Sequence, residues 1–162
     1  MSRRLLHYGW LLAVSLLLAT ALSLVVLPDW LAFARPALVL MVVCFWVVMP
    51  NPVFGLAGAW AVGLLLDVLY GTTLGQHALA MLVCTFIVIK LNEFIRSYRI
   101  LQQALLFAPI FFLYEFLLFW LDGITGRGAE PLWRWAPVVS STLLWPPLSF
   151  LLRRASNYTY GD

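Results

Sequence analysis

Of the chain's 162 residues, 64% are hydrophobic and only 10% charged, against about a quarter charged in a soluble domain, which excludes a water-soluble fold. Ten Lys and Arg against seven Asp and Glu give a net charge of +3, but the positive residues flank apolar runs, so they read as membrane flanks and not as a nucleic-acid surface. At about 20 residues per crossing helix, six spans use roughly 120 residues, which makes residues 1–162 a single transmembrane domain with short connections.

The first span is predicted over residues 9–27. Arg3 and Arg4 before an apolar run that reaches Ala19-Thr20-Ala21 also resemble a cleavable secretory signal. The run continues to Leu27 and stops at Pro28-Asp29, which is the length of a spanning helix. The second span, residues 37–49, is short and must begin before Pro36, tilt, or be sheltered by its neighbours. Pro50-Asn51-Pro52 ends it in a tight turn.

Spans three and four, residues 53–70 and 77–89, are joined by Gly71-Thr72-Thr73-Leu74-Gly75-Gln76, a helix stop followed by a restart. On the third, Gly55, Gly58, Ala59, Gly63 and Asp67 recur at three- to five-residue intervals and would let another helix approach closely. Spans five and six cover residues 101–121 and 136–152, with Pro146-Pro147 expected to kink the last. Beyond the fourth span, Leu91, Phe94, Ile95 and Tyr98 share one helical face while Asn92, Glu93, Arg96 and Arg99 face elsewhere. This pattern predicts an amphipathic helix at the cytoplasmic interface, either a lipid-anchored connector or a docking surface for a partner.

Charge counting sets the orientation. Arg3, Arg4, Lys90, Arg96, Arg99, Arg153 and Arg154 lie on the side of the N-terminus, and Arg35, Arg127 and Arg134 on the other, which places both termini in the cytoplasm. Trp30, Trp120, Trp133 and Trp135 would form an outer aromatic belt, with Tyr8, Trp10 and Tyr98 at the inner boundary.

The residues of known active enzymes are missing: there is no G-x-S-x-G, H-E-x-x-H, phosphate-binding glycine loop or Cys-x-x-Cys. Cys44 and Cys84 lie in apolar runs as small hydrophobes, and His7 and His77 are too few for a histidine metal centre, so no metal or cofactor is expected. Asp67 and Glu115 are the ionisable residues at membrane depth, roughly 5 Å and 9 Å below the outer ends of their helices. With Arg35 and His77 they would form an outer cluster that locks helices together or receives a partner or small ligand. Intramembrane aspartyl proteases such as the lipoprotein signal peptidase also carry two acidic residues, but that family's asparagine-rich motifs are absent and Asp67 precedes Val68-Leu69-Tyr70-Gly71. Counting 16 residues each way from Asn51 puts Arg35 and Asp67 at equal depth on a hairpin of the second and third spans. An ion pair between them is therefore expected.

Arg35-Pro36-Ala37-Leu38-Val39-Leu40, Gly63-Leu64-Leu65-Leu66-Asp67, Gly71 through Ala80, and Leu144-Trp145-Pro146 with Leu151-Leu152-Arg153 together resemble the MreD rod shape-determining family over nearly the whole chain. The resemblance implies a non-enzymatic inner-membrane component of the machinery that builds lateral peptidoglycan. It also implies MreC, MreB, RodA and a class B penicillin-binding protein as partners. That family is similar in fold to the six-helix substrate-binding subunits of energy-coupling-factor transporters, which makes a small-ligand subunit the alternative. The candidate interaction residues are Arg35, Pro36, Gly63, Asp67, Gly71, Gly75, His77 and Glu115, with membrane lipid around them.

Overall fold

The computed structural model describes residues 2–25, 34–49, 54–126 and 132–158, and among these all regular structure is helical. The helices are α1 (Ser2–Leu24), α2 (Leu38–Val48), α3 (Leu56–Tyr70), α4 (Gln76–Lys90), α5 (Asn92–Arg96), α6 (Ile100–Ile124) and α7 (Ala136–Tyr158), with a 3-10 turn at Leu132–Trp135 before the last. The Pro50-Asn51-Pro52 turn, Trp30 and Arg127 lie outside the described residues, as do the side chains of Arg3, Arg4, His7, Tyr8 and Trp133.

Helix α2 sits at the centre. Its sequence, LVLMVVCFWVV, is rich in β-branched residues with modest helix propensity. An apolar surround leaves the backbone no partner but itself, and so enforces the helix. Every residue from Val39 to Val48 is buried, because α1, α4, α5 and α7 enclose it. At roughly 16 Å it is far shorter than a bilayer core, and enclosure by other helices is what makes that length tolerable. Three hydrogen bonds pin it. The Ala37 N–H donates to Ser141 Oγ of α7 at 2.9 Å, Trp46 Nε1 to Ser15 Oγ of α1 at 2.9 Å, and Asn92 Nδ2 of α5 to the Val47 carbonyl at 3.4 Å.

Two hairpins flank this centre, α3 with α4 and α6 with α7. In the first the backbones nearly touch: a Cβ on Gly63 would lie 2.3 Å from Ala78 Cα and 2.9 Å from the His77 carbonyl carbon. In the second, Trp145 of α7 lies on Phe107 of α6 with ring centroids 3.9 Å apart, and Phe111 is 6.1 Å away. Pro109 in α6 and Pro146 and Pro147 in α7 are carried within helices.

The apolar core also takes in polar side chains, and much of the outer surface is apolar. Asp67, Gln76, His77, Thr85, Gln103, Ser141 and Ser149 are buried, while Trp10, Leu17, Trp60, Val68, Leu101, Leu105, Leu143 and Leu151 are exposed. So much outward apolar surface suits a hydrocarbon solvent and not water. Among the described helices, α6 alone is both long and apolar enough to cross a bilayer unaided; α2, α3, α4 and the Gly9–Leu24 part of α1 are shorter apolar helices.

The interface helix is shorter than the apolar pattern at 91–98 indicates. Helical residues run only from Asn92 to Arg96. Gln103 is the reason: its buried Nε2 donates to the carbonyls of Ile95 and Tyr98, each at 3.0 Å, and so closes the turn that leads into α6. Of the four apolar residues Ile95 is buried, whereas Leu91, Phe94 and Tyr98 are exposed, as are Arg96 and Arg99.

Candidate functional site

The most concentrated polar chemistry lies where α3 turns into α4. Gly71 adopts φ +63° and ends α3, with its N–H directed to Val68 O at 3.4 Å and the Thr72 N–H to Asp67 O at 3.0 Å, a Schellman closure that a Cβ would strain. Gly75, at φ +99°, restarts the chain into α4. The five-residue link therefore folds back over the last turn of α3 and brings the start of α4 to Asp67.

The Asp67 carboxylate caps α4 from the neighbouring helix. Oδ1 accepts from the His77 N–H at 2.8 Å, from His77 Nδ1 at 2.9 Å and from Thr72 Oγ1 at 2.9 Å. Oδ2 accepts from the Gly75 N–H at 2.8 Å and the Ala78 N–H at 3.4 Å. A carboxylate only accepts, so His77 Nδ1 carries the hydrogen. The negative charge also faces the positive end of the α4 dipole. Asp67 is 1% exposed, and its roughly four lone-pair sites are all engaged. Its described hydrogen bonds thus join the end of α3 to the start of α4. His77 packs between Tyr70 and Tyr114, with ring centroids 5.3 Å and 6.4 Å away.

Next to the cap, Gln76 Nε2 donates to Asp122 Oδ1 at 2.6 Å, and Asp122 pairs with Arg134, whose guanidinium lies 5.7 Å from the Phe119 ring. This second link ties the start of α4 to the α6–α7 turn. Sequence patterning places Thr72 and Gln76 only in the link between spans and Arg134 only among the outer charges, and gives Asp122 no role. The signal available was a polar residue beside each helix end facing this side.

The expected Arg35–Asp67 ion pair is not formed. Arg35 Nη2 donates to Val25 O at 2.7 Å and Nη1 to Ser23 O at 3.3 Å, capping the end of α1. The physical reason is that α3 packs along α4 and not along α2, so equal depth does not bring the two side chains together. The outer cluster is correspondingly split. Asp67 and His77 join, Arg35 stays at α1, and half-buried Glu115 makes no hydrogen bond among the described residues, with Arg134 and Asp122 as the charges that act on it. Pro36 precedes α2, its carbonyl accepting the Leu38 N–H at 2.8 Å. Among the described residues no group of three or more His, Cys, Asp or Glu is placed to hold a metal.

The family model for rod shape-determining protein MreD matches residues 3–155. The chain belongs to the MreD family. A Haemophilus influenzae protein named rod shape-determining protein MreD is 28% identical over 141 residues, covering 85% of this chain and 85% of its own. No solved structure matches. Membership makes the chain a membrane protein with a role in rod-shape determination, acting with protein partners. For an MreD, the Asp67 cap and the Gly63 contact are the features that hold α3 and α4 as one unit.

Proposed function

We propose that this MreD is a non-enzymatic, six-span component of the cell-elongation complex in the bacterial inner membrane. It has both termini in the cytoplasm and regulates lateral peptidoglycan synthesis through contacts with MreC and the wall synthases, RodA and a class B penicillin-binding protein, with MreB in the larger assembly. The observation that carries this reading is the match of residues 3–155 to the MreD family, and the Asp67 carboxylate, bonded to the α3–α4 turn, suits a structural part for the buried acid. Chemistry that is spent inward leaves the apolar outer faces, such as Trp60, Leu65 and Val68 on α3, as the surface through which the protein acts. Packing, rather than hydrophobicity, drives association of such faces in lipid.

Affinity purification in mild detergent with identification of the co-purifying proteins tests it. MreC and the synthase pair are the expected catch. An ATPase module in their place would establish instead the small-ligand subunit of a transporter. Turnover of a cell-wall lipid precursor by the purified protein, lost in Asp67→Asn or Glu115→Gln, would overturn the non-enzymatic role.

A further inference from the structure

At the end of the bundle opposite the Asp67 cap, a cavity of about 330 Å³ opens between α2, α5, α6 and α7. Arg96 and Arg153 line its polar side together with Gln103, while Phe45 and Met49 of α2 and Trp145 of α7 form its apolar wall. No carboxylate lines it, and neither arginine has an ion-pair partner among the described residues.

Three donors are left over. Arg153 gives Nη2 to Gln103 Oε1 at 3.3 Å, but its buried Nε has no partner among the described residues. Trp145 is 1% exposed and fixed against Phe107, yet its Nε1 has no acceptor among the described residues. Arg96, at the exposed rim, makes no side-chain hydrogen bond among the described residues. Buried N–H groups without acceptors are costly unless something supplies an oxygen.

We propose that this cavity binds the phosphate headgroup of an anionic phospholipid. A phosphodiester offers acceptor oxygens to a guanidinium fork in the geometry arginine favours. The depth of the site selects the lipid over a free anion. Arg153 follows Trp145 by eight residues, about 12 Å along the helix, so the cavity runs from headgroup level down into the apolar layer, where Phe45 and Met49 meet the glycerol and the first acyl carbons. Its volume is at the low end of the about 300–1,000 Å³ of small-molecule sites, enough for a headgroup with the chains leaving along the helices. Gln103 positions Arg153 for this and closes the α5–α6 turn that carries Arg96. The inference uses the proposed orientation only to assign the leaflet, which labelling at position 96 reports separately, and it needs no partner protein.

Native mass spectrometry of the purified protein, supplied in detergent with phosphatidylglycerol or phosphatidylethanolamine, tests the site. One phosphatidylglycerol per chain should survive delipidation, in preference to the zwitterionic lipid. Arg96→Gln, which removes no hydrogen bond among the described residues, should lower retention about tenfold, and Trp145→Phe, which keeps an aromatic ring but deletes the indole N–H, should lower it several-fold. Arg96→Gln, at the exposed rim, should keep the wild-type melting temperature within a few degrees, so that its loss of lipid is not a loss of fold. Glycerol phosphate at millimolar concentration should not displace the lipid. Equal retention by wild type and Arg96→Gln, equal retention of the two lipids, displacement by glycerol phosphate, or occupation by an acidic peptide with lipid excluded would each overturn the proposal.

Discussion

The main-chain N–H of His77 lies 2.8 Å from Asp67 Oδ1, and the ring Nδ1 of the same histidine reaches that oxygen at 2.9 Å. One residue thus donates twice to one oxygen, so the position of α4 and the rotamer of His77 are set together. Asp67→Ala leaves the Gly75 and His77 amides without acceptors in a buried setting, a loss of roughly 2–5 kcal/mol. Asp67→Asn keeps one acceptor oxygen but turns an amide toward donors, and should be intermediate. Thermal unfolding in detergent should rank the melting temperatures wild type, Asp67→Asn, Asp67→Ala, with membrane insertion unchanged.

Arg35 and Asp67 serve different helix ends, and their defects should be independent. Arg35→Ala frees the Ser23 and Val25 carbonyls, while Asp67→Ala frees the α4 amides. Unlinked sites add to within about 0.5 kcal/mol, so the double variant should show the sum of the two losses. A double variant no worse than either single one would mean that the two residues share an interaction.

Gly63 tolerates no side chain because its neighbours are backbone atoms, which cannot rotate aside. Gly63→Ala should lower stability by about 1–3 kcal/mol, and Gly63→Leu should abolish complementation of rod shape while still inserting. Gly123→Ala, where nothing lies within 4 Å, is the matched control and should be silent.

Single cysteines report the orientation. At positions 51, 96 and 158 they should be protected from an impermeant reagent, and at 73 and 128 they should label, as the seven-to-three charge asymmetry requires. The native Cys44 and Cys84 are buried and should stay unlabelled in either case. Labelling at 96 from outside would reverse the topology.

Helix positions were legible because apolar runs and their punctuation are local properties. Gly71 and Gly75 mark a stop and a restart whether or not the neighbours are known. Which helix lies beside which is not local, and counting depth from Asn51 assumed that chain neighbours are also spatial neighbours. Asp67 answered to a loop five residues away instead of to an arginine 32 positions back. The nearer signal was an acid in the last turn of a helix with a short glycine-bounded link behind it. Gln103 has no sequence pattern and Trp145 only its place in the family resemblance, since a buried amide that catches two carbonyls and an indole beside a cavity depend on three separate helices converging.

The burial of α2 orders the protein's biogenesis. Its first free amide, at Ala37, finds its acceptor at Ser141, 104 residues further along. At about 5–20 residues per second, roughly 5–20 seconds of synthesis separate the two. Through that interval the most apolar segment of the chain waits in the bilayer with α1 as its one earlier companion and no final shelter. The helix made last therefore supplies the acceptor for the Ala37 amide and completes an enclosure of α2 that α1, α4 and α5 have already begun.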